Sequence, residues 1–381
     1  MFPELDLDIR YNAAGNQFLH FPFMSISDTH WGTKHSRAKR LTHMLEHTNA
    51  DRIYAIGDMI DGEYMLGKKK WNFPPWHRQG IAQFCRKAEG GTEVIYILGN
   101  HEAGIRQKVT ISRHGSGVMH RNMCGKSLYG IKFADQAVYV DPLDRRIKIE
   151  HGDQYDYTLG AAPLGDAVLE LMYNLDTWFQ HLPRCADISI AAKGKRIVKT
   201  IIDKGWSFRK NIARLVDDDP LLHGIVTGHS HISEISRTPG GKLRINDGCC
   251  TEHVEALVQD RNGTFALLEW HEAYLRITYE GGTTRVATWQ QLGLDAFLSP
   301  PRLIEDASTE RADRLIRLVY RTWPPKERRR PETRDAWNYA TGHAIRGSTP
   351  AYIPVPNPRR PNPVPRKSTF ETSPLESHAA I

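Results

Sequence analysis

Five short blocks rich in Asp, Asn and His occur along the chain, and each follows a run of apolar residues that predicts a buried strand. The blocks occupy residues 27–30, 57–61, 99–102, 151–153 and 228–231, after the apolar runs at 21–26, 52–56, 94–98, 147–149 and 225–227. Because strands of an open α/β sheet end at a common crevice, we expect the blocks to converge. Their oxygen and nitrogen atoms suit first-row divalent metals. The sequence therefore predicts a two-metal hydrolase with an α/β fold.

Each block has an ordinary structural explanation when it is considered alone. A single Asp-x-His is usually a solvated loop, and Gly-Asp is favoured in turns for backbone reasons. Gly-Asn-His-Glu could end a strand and cap a helix. Five such blocks in order, each after a strand, favour a shared metal site over five unrelated turns.

The motifs Asp-x-His, Gly-Asp-x-x-Asp, Gly-Asn-His-Glu, His-Gly-Asp and Gly-His-x-His resemble those of the calcineurin-like metallophosphoesterases, over roughly residues 21–270. Within that superfamily the chain is most similar to the UDP-2,3-diacylglucosamine pyrophosphatase-like branch. That similarity involves the run from Asp58 to Gly62, residues 151–156, and the Asn-Asp-Gly at 246–248 with the residues that follow. The resemblance implies a four-layer αββα sandwich with a helical cap insertion.

The resemblance also implies a role for individual residues. One metal ion would be held by Asp28, His30, Asp58 and His231. The other would be held by Asp58, Asn100, His151 and His229, so that Asp58 bridges the two. His101 would be the catalytic acid or charge stabiliser beside the substrate phosphate. Asp61, Glu102 and Asp153 would orient the ligating groups without touching metal.

The chemistry expected of such a site is hydrolysis of a phosphoester or pyrophosphate bond by a metal-bridging hydroxide. Two divalent ions about 3.5–4 Å apart clamp the oxygens of an in-line displacement, and their charge lowers the pKa of the bridging water. His101 would neutralise developing charge or protonate the departing oxygen. The mixed nitrogen and oxygen donors fit Mn, Fe, Zn or Co, and the branch resemblance favours Mn.

The identity of the substrate is less constrained than the chemistry. The branch resemblance implies a UDP-2,3-diacylglucosamine-like nucleotide-lipid and a place in lipid A biosynthesis. The formal charge of +7 and pI of about 9.1 favour anionic partners, which leaves open a broader phosphodiesterase or nuclease, although nucleic acid is not favoured. Glu102 in the third block leaves open a phosphoprotein phosphatase. A non-catalytic scaffold is disfavoured because it would not need the complete ligand set.

The expected organisation is a split core followed by a helix and a tail. The core comprises residues 18–160 and 223–300, and a helical cap insertion at 161–222 separates its two parts. In the insertion, Trp178 and Phe179 lie on an apolar stripe and Lys193 and Lys195 in a basic run; such stripes usually pack on a core, but here we expect substrate contacts. We expect a C-terminal helix at 301–322, and a disordered Pro- and Arg-rich tail at 323–381.

Targeting features and cysteines suggest a cytoplasmic protein. The first residues lack the pattern of a signal peptide, and no run approaches the roughly 20 apolar residues that span a bilayer. Peripheral contact with the inner membrane surface stays open, because a basic and aromatic run occupies residues 68–76. The five cysteines are too scattered for a disulfide framework, so we expect reduced thiols. We further expect Ser36 to cap a helix that buries Leu41 and Leu45.

Overall fold

Two β-sheets face each other in the computed structural model, which describes residues 5–62, 73–106, 123–155, 208–322 and 352–354. The first sheet contains β1 (Asp8–Tyr11), β2 (Gln17–Ile26), β3 (Thr48–Ile56), β4 (Glu93–Ile97), β5 (Ser127–Leu128), β6 (Ile131–Ala134), β12 (Glu255–Gln259), β13 (Phe265–Trp270), β14 (Tyr274–Tyr279) and β15 (Thr284–Thr288). The second contains β7 (Gln136–Val140), β8 (Arg146–Glu150), β9 (Gly224–Thr227), β10 (Glu234–Arg237), β11 (Leu243–Asn246) and β16 (Tyr352–Pro354). The five strands predicted before the polar blocks are thus confirmed as β2, β3, β4, β8 and β9.

Parallel pairing brings the ends of these five strands to the same edge of the sandwich. In the first sheet the order is β15-β14-β13-β12-β2-β3-β4-β6-β5, and β2, β3, β4 and β6 are parallel neighbours. In the second sheet the order is β10-β11-β9-β8-β7-β16, and β9 is parallel to β8 and β11. The carboxyl ends of the parallel strands in both sheets therefore lie where α/β proteins form a ligand crevice.

The two sheets are held together by a layer of large apolar side chains. Phe23 of β2 contacts Tyr54 of β3 and Tyr139 of β7, with ring centroids 5.3 and 4.8 Å apart. Ile149 and Val226 reach the same cluster from the second sheet and are fully buried. Burial of each such side chain stabilises the fold by about 1.5–3 kcal/mol. This rigid layer supports the strand ends that carry the polar blocks.

Helices cover the outer faces of both sheets. Helices α1 (Ala38–His47), α2 (Pro75–Glu89), α3 (Ala103–Arg106) and α5 (Ala307–Thr322) belong with the first sheet, and α4 (Phe208–Asp218) with the second. Leu41, Phe84 and Ile316 share one cluster with Met24 of the first sheet, whereas Ile212 packs with Ile225 of the second. The layers are helix, sheet, sheet and helix, which confirms the predicted αββα sandwich.

The two helix predictions had different outcomes. In the range expected for the C-terminal helix, residues 301–322, helix α5 begins at Ala307 and buries Ala312, Leu315, Ile316 and Val319. The prediction that Ser36 caps α1 is wrong, because the N-cap position is Arg37 and no side chain caps it. The backbone N–H of Arg37 instead donates to the carbonyl of Cys250 at 3.0 Å. A tertiary contact with the loop after β11 therefore determines where this helix begins.

Parts of the expected insertion and tail are described. Helix α4 falls within the expected insertion at 161–222 and packs on the second sheet, whereas residues 156–207 lie outside the described residues. Within the tail, β16 pairs in parallel with β7. Cys85, Cys124, Cys249 and Cys250 are free thiols, as expected for reduced cysteines. No helix in the described ranges is both long and apolar enough to cross a membrane.

Candidate metal centre

The structure brings the five predicted blocks together at the carboxyl ends of β2, β3, β4, β8 and β9. Asp28, His30 and His231 form one group, in which one ligand atom from each residue lies within 4.8 Å of the others. His231 Nε2 is 3.1 Å and His30 Nε2 is 3.9 Å from the same oxygen, Oδ1 of Asp28. Asp28 is fully buried. A carboxylate facing two imidazoles suits a divalent ion such as Zn²⁺, Mn²⁺ or Fe²⁺.

Asp58, His151 and His229 form a second group by the same distance criterion. His151 Nε2 lies 3.2 Å from Oδ2 of Asp58. The other ring nitrogen of His151, Nδ1, lies 3.0 Å from the carbonyl oxygen of Ile56. A carbonyl can only accept, so Nδ1 carries a proton, and Nε2 is the ring atom that can bind either a metal ion or a second proton beside Asp58. The expected bridging by Asp58 to the first group remains a prediction.

Buried polar atoms test whether these residues fit a metal. His30 Nε2, Asn100 Oδ1 and His151 Nε2 are buried and form no hydrogen bond with any described residue. Leaving such an atom without a partner costs about 1–3 kcal/mol. All three belong to residues predicted as metal ligands, and Asn100 begins the 3₁₀ turn Asn100–Glu102 after β4. The donor set therefore fits a metal site that includes Asn100.

The backbone is strained at the candidate ligands. Asp28, His30, Asp58, His229 and His231 have φ between 45° and 63°, and among the described residues only Tyr129 and Asp144 are other non-glycine residues with positive φ. The left-handed conformation costs an L-residue about 1–2 kcal/mol. Such strain persists where neighbouring structure imposes it, and it clusters at functional sites. This feature was not predicted from the sequence, although Asp and His are among the non-glycine residues that most often adopt positive φ.

Two glycines allow the blocks to approach each other closely. A Cβ on Gly57, which has a φ of +69°, would lie 2.3 Å from Nδ1 of His151. A Cβ on Gly99 would lie 2.3 Å from Oδ1 of Asp58. These separations are shorter than any non-bonded contact, so glycine is required before Asp58 and before Asn100.

Glu102 joins the second and third blocks. Its buried carboxylate accepts hydrogen bonds from the backbone N–H groups of Asp58 (3.0 Å), Ile60 (2.9 Å) and Gly99 (3.0 Å). The hydroxyl of Tyr96 donates a fourth at 2.6 Å. Burial raises the pKa of Glu102, and the charge of Asp58 raises it further. Glu102 thus links the backbone of the second block to that of the third, and its role in orienting ligands stays a prediction. Tyr96 was not identified from the sequence, because its partner lies six residues away across a strand end.

Asp61 lies between two histidines of different blocks. One carboxylate oxygen is 3.0 Å from Nδ1 of His30, and the other is 3.0 Å from Nδ1 of His101. This arrangement turns Nε2 of each ring away from Asp61 and toward the centre, where His101 Nε2 lies 3.8 Å from Oδ2 of Asp58. The His101 side chain is 22% exposed, so a substrate can reach it. Contacts of this kind fix the orientation of a ring.

Two further buried residues, Arg106 and Asp247, support the blocks, and neither was assigned a role from the sequence. Asp153, predicted to orient ligands, forms two hydrogen bonds with Arg106 of α3. Asp247 accepts from Ser25 at 2.9 Å and from Ser27 at 2.7 Å, beneath the first block. Burial raises the pKa of Asp247 to about 7. Neither pair has a sequence signal, because its members are far apart along the chain.

The electrostatic environment attracts cations. Burial raises the pKa of Asp28 and Asp58, but the charges of His231 and His151 outweigh it and hold both pKa values below the usual range. Burial lowers the pKa of His151, yet the charge of Asp58 raises it overall to about 10. Protons on these histidines and a metal ion compete for the same lone pairs. The site therefore stabilises positive charge among its buried carboxylates.

The predicted substrate contacts Trp178, Phe179, Lys193 and Lys195 lie outside the described residues. Most of the basic and aromatic run at 68–76 is outside them too, since the described chain resumes at residue 73. On the substrate side of the site, the described residues are therefore only those around the candidate metal ligands.

One family model matches the part of the chain that contains the five blocks. The family model described as calcineurin-like phosphoesterase matches residues 21–233, a range that includes every candidate metal ligand from Asp28 to His231. Among curated proteins, none matches the sequence. A solved structure of a dimetal phosphatase from Danio rerio is similar at 14% identity and a TM-score of 0.32, over 71% of this chain and 99% of that one. With more than half of its length matched by the family model, the chain belongs to the calcineurin-like phosphoesterase family, whose members are metal-dependent phosphoester hydrolases.

Proposed function

We propose that this protein uses two divalent ions, Mn²⁺ in the first instance, to hydrolyse the pyrophosphate bond of a nucleotide-linked lipid similar to UDP-2,3-diacylglucosamine. The observation that carries the two-ion proposal is the pair of ligand groups, Asp28 with His30 and His231, and Asp58 with His151 and His229. Asn100 would complete the second group through its buried Oδ1. When bound, the ions would polarise phosphoryl oxygens and lower the pKa of water.

The residues of the chain have separate tasks in this reaction. Asp28, His30 and His231 would hold one ion, and Asp58, Asn100, His151 and His229 the other, with Asp58 shared. Asp61 and Glu102 keep these groups in place through the contacts described above. His101 faces the site beside Asp58 and is partly exposed. We assign to it a proton that passes to the departing oxygen.

The nucleotide-lipid substrate is supported by sequence rather than by geometry. The similarity to the pyrophosphatase branch covers the blocks and residues 246–258. The apolar and basic residues of segment 161–222, including Trp178, Phe179, Lys193 and Lys195, would receive the acyl chains and the phosphates. This assignment places the enzyme in the cytoplasm, in contact with a membrane surface that presents the lipid.

The metal proposal is tested with Asp58→Asn. Loss of the shared carboxylate charge is expected to reduce bound metal, measured by mass spectrometry, from two equivalents to one or fewer and to abolish turnover. The matched control is Asp295→Asn, which makes the same change at an exposed position. Two equivalents of metal and normal turnover in Asp58→Asn would contradict the ligand assignment.

The substrate proposal is tested by comparing UDP-2,3-diacylglucosamine, UDP-N-acetylglucosamine, bis-p-nitrophenyl phosphate, a phosphopeptide and single-stranded DNA. We expect the highest kcat/KM for the diacylated substrate, and a KM that rises roughly fourfold for each methylene removed, since a buried methylene contributes about 0.8 kcal/mol. Equal activity with and without acyl chains would reject the lipid. Preferred cleavage of DNA that weakens with salt would favour the nuclease alternative, and preferred cleavage of the phosphopeptide the phosphatase alternative.

A further inference from the structure

The first candidate metal group takes its ligands from both β-sheets. Asp28 and His30 follow β2 of the first sheet, whereas His231 follows β9 of the second. Oδ1 of Asp28 faces the two imidazoles, and Oδ2 accepts a hydrogen bond from the backbone N–H of His229 at 2.9 Å. Metal–ligand distances vary by only about 0.2 Å, so a metal ion in this group requires the two strand ends to keep a fixed separation.

A segment that contains no candidate ligand is attached to the end of β9. Residues 246–250, which we call the linking segment, begin at the last residue of β11. The side-chain amide of Asn246 donates to the carbonyl of Gly228, and the backbone N–H of Asp247 donates to the carbonyl of Thr227 at 3.0 Å. Both acceptors lie where β9 gives way to the fifth block, so these bonds fix the strand end that carries that block.

The same segment is attached to the end of β2. The carboxyl group of Asp247 accepts hydrogen bonds from Ser25 at 2.9 Å and from Ser27 at 2.7 Å, one on each oxygen. The backbone N–H of Cys250 donates to the carbonyl of Asp28 at 3.2 Å. Asp247 therefore bonds to β9 through its backbone and to β2 through its side chain, and it connects the two strand ends that supply the first metal group.

Burial makes this connection costly to break. Asp247, Ser25 and Ser27 are each at most 1% exposed, and a buried hydroxyl that loses its partner is not compensated by water. The connection also does not require a charge on Asp247. An ionised carboxylate accepts from both serines, whereas a neutral carboxyl group accepts from one hydroxyl and donates to the other. Asp247 therefore holds both serines in either state.

We propose that Asp247 is a positioning residue for the first metal ion, because it keeps the end of β2, with Asp28, at a fixed distance from the end of β9, with His231. This inference rests on the proposed two-metal function and adds to it a residue outside the five blocks. Asp247 acts through the ligand blocks and does not itself bind metal.

The test compares Asp247→Ala with Asp247→Asn. Metal-free protein is titrated with Mn²⁺ in a calorimeter, which resolves the affinities of the two ions. We expect Asp247→Ala to weaken the binding of one ion about 10- to 100-fold, as is usual when a group that orients metal ligands is lost. In Asp247→Asn the amide can accept from one serine and donate to the other, so both affinities should stay within about threefold of wild type.

Asp260→Ala controls for a general loss of stability. Asp260 is also buried, and its carboxylate accepts from the backbone N–H groups of Asn262 and Thr264 in the turn after β12. The linking segment precedes β12, so this turn lies at the other end of the strand. Urea unfolding should show that Asp260→Ala and Asp247→Ala are both destabilised, but Asp260→Ala should bind both Mn²⁺ ions as the wild type does.

Two background variants identify which ion depends on Asp247. His229→Ala damages the second ligand group and leaves the first, so adding Asp247→Ala should still weaken the remaining ion about 10- to 100-fold. His231→Ala damages the first group and leaves the second, so adding Asp247→Ala should then have no effect on the remaining ion. Such double-mutant cycles measure the coupling between Asp247 and each group.

Failure of the inference and failure of the proposed function give different results. Wild-type affinity for both ions in Asp247→Ala overturns the inference alone, and so does an equal loss at both ions. Asp247→Asn that binds as weakly as Asp247→Ala also overturns it, because charge and not position would then be responsible. Wild-type protein that binds no Mn²⁺ contradicts the two-metal function itself, and the inference falls with it.

A second variant keeps the inference testable if Asp247→Ala does not fold by circular dichroism. Ser27→Ala removes one of the two hydroxyl groups that donate to Asp247 and changes little volume. It should weaken the same ion as Asp247→Ala is expected to weaken, in both background variants. Unchanged Mn²⁺ binding in Ser27→Ala would then overturn the inference.

Discussion

Arg106 donates two hydrogen bonds to the carboxylate of Asp153, at 2.9 and 2.8 Å, although the two residues are 47 positions apart. Both side chains are buried, and Arg106 also reaches Asp135 at 3.1 Å. Asp153 is two residues after the candidate ligand His151, and Arg106 ends the short helix that follows the Gly-Asn-His-Glu block. The pair therefore fixes the position of one ligand block relative to another.

Replacing Arg106 by Ala should lower the free energy of unfolding by about 3–5 kcal/mol, because it leaves a buried carboxylate without its cation. Urea denaturation measures this loss. Arg40→Ala is the matched control, since Arg40 pairs with the exposed Glu272, and a pair of that kind contributes about 0–1 kcal/mol. A loss below about 1 kcal/mol for Arg106→Ala would show that water or another cation replaces Arg106.

The contrast between this pair and the ligand blocks shows what the sequence can reveal. Strand β3 and the Gly-Asp-x-x-Asp that follows it are adjacent in the chain, so local hydrophobic pattern and residue type predicted both. The same holds for α5, whose buried face follows from its helical spacing. The partner of Arg106 depends on how distant elements pack, and no local pattern encodes it. The failed cap at Ser36 has the same origin, because the contact between Arg37 and Cys250 overrides the local preference.

His101→Ala should keep both metals and lose turnover. Its predicted role is to hold a proton and not to bind metal, so kcat should fall by roughly two to four orders of magnitude. Metal content by mass spectrometry and single-turnover kinetics distinguish the two effects. His223→Ala serves as the control, because His223 is exposed and precedes β9, at the end of the strand away from the ligand loop. Loss of metal from His101→Ala would identify His101 as a ligand.

Gly57→Ala should be far more harmful than alanine at an unconstrained glycine. The new Cβ would lie 2.3 Å from the His151 ring, at a φ of +69°. The backbone strain costs about 1–2 kcal/mol, and the overlap adds about 1–3 kcal/mol. Gly241→Ala is the matched control, with a φ of +81° and no atom within 4 Å of the added Cβ, so only the first cost applies. Equal losses of unfolding free energy in the two variants would show that His151 moves aside freely.

His77 should make the stability of the fold depend on pH. Its Nδ1 accepts a hydrogen bond from the backbone N–H of Gly32 at 2.9 Å, in the turn that follows the first ligand block. Burial lowers the pKa of His77 from 6.5 to about 4, because a protonated Nδ1 would be desolvated and could no longer accept.

Between pH 6.5 and 4 the unfolded chain binds a proton at His77 that the folded chain does not, so folding stability from this residue falls as the pH decreases through that window. Over this pH window the free energy of unfolding falls by at most about 3 kcal/mol because of His77. In His77→Gln the side-chain carbonyl can still accept from Gly32 but does not titrate. Urea unfolding at pH 7.5 and at pH 4.5 should therefore show a smaller pH-dependent loss in the variant than in the wild type. Parallel losses in the two proteins would mean that His77 becomes protonated in the folded state without disrupting the turn.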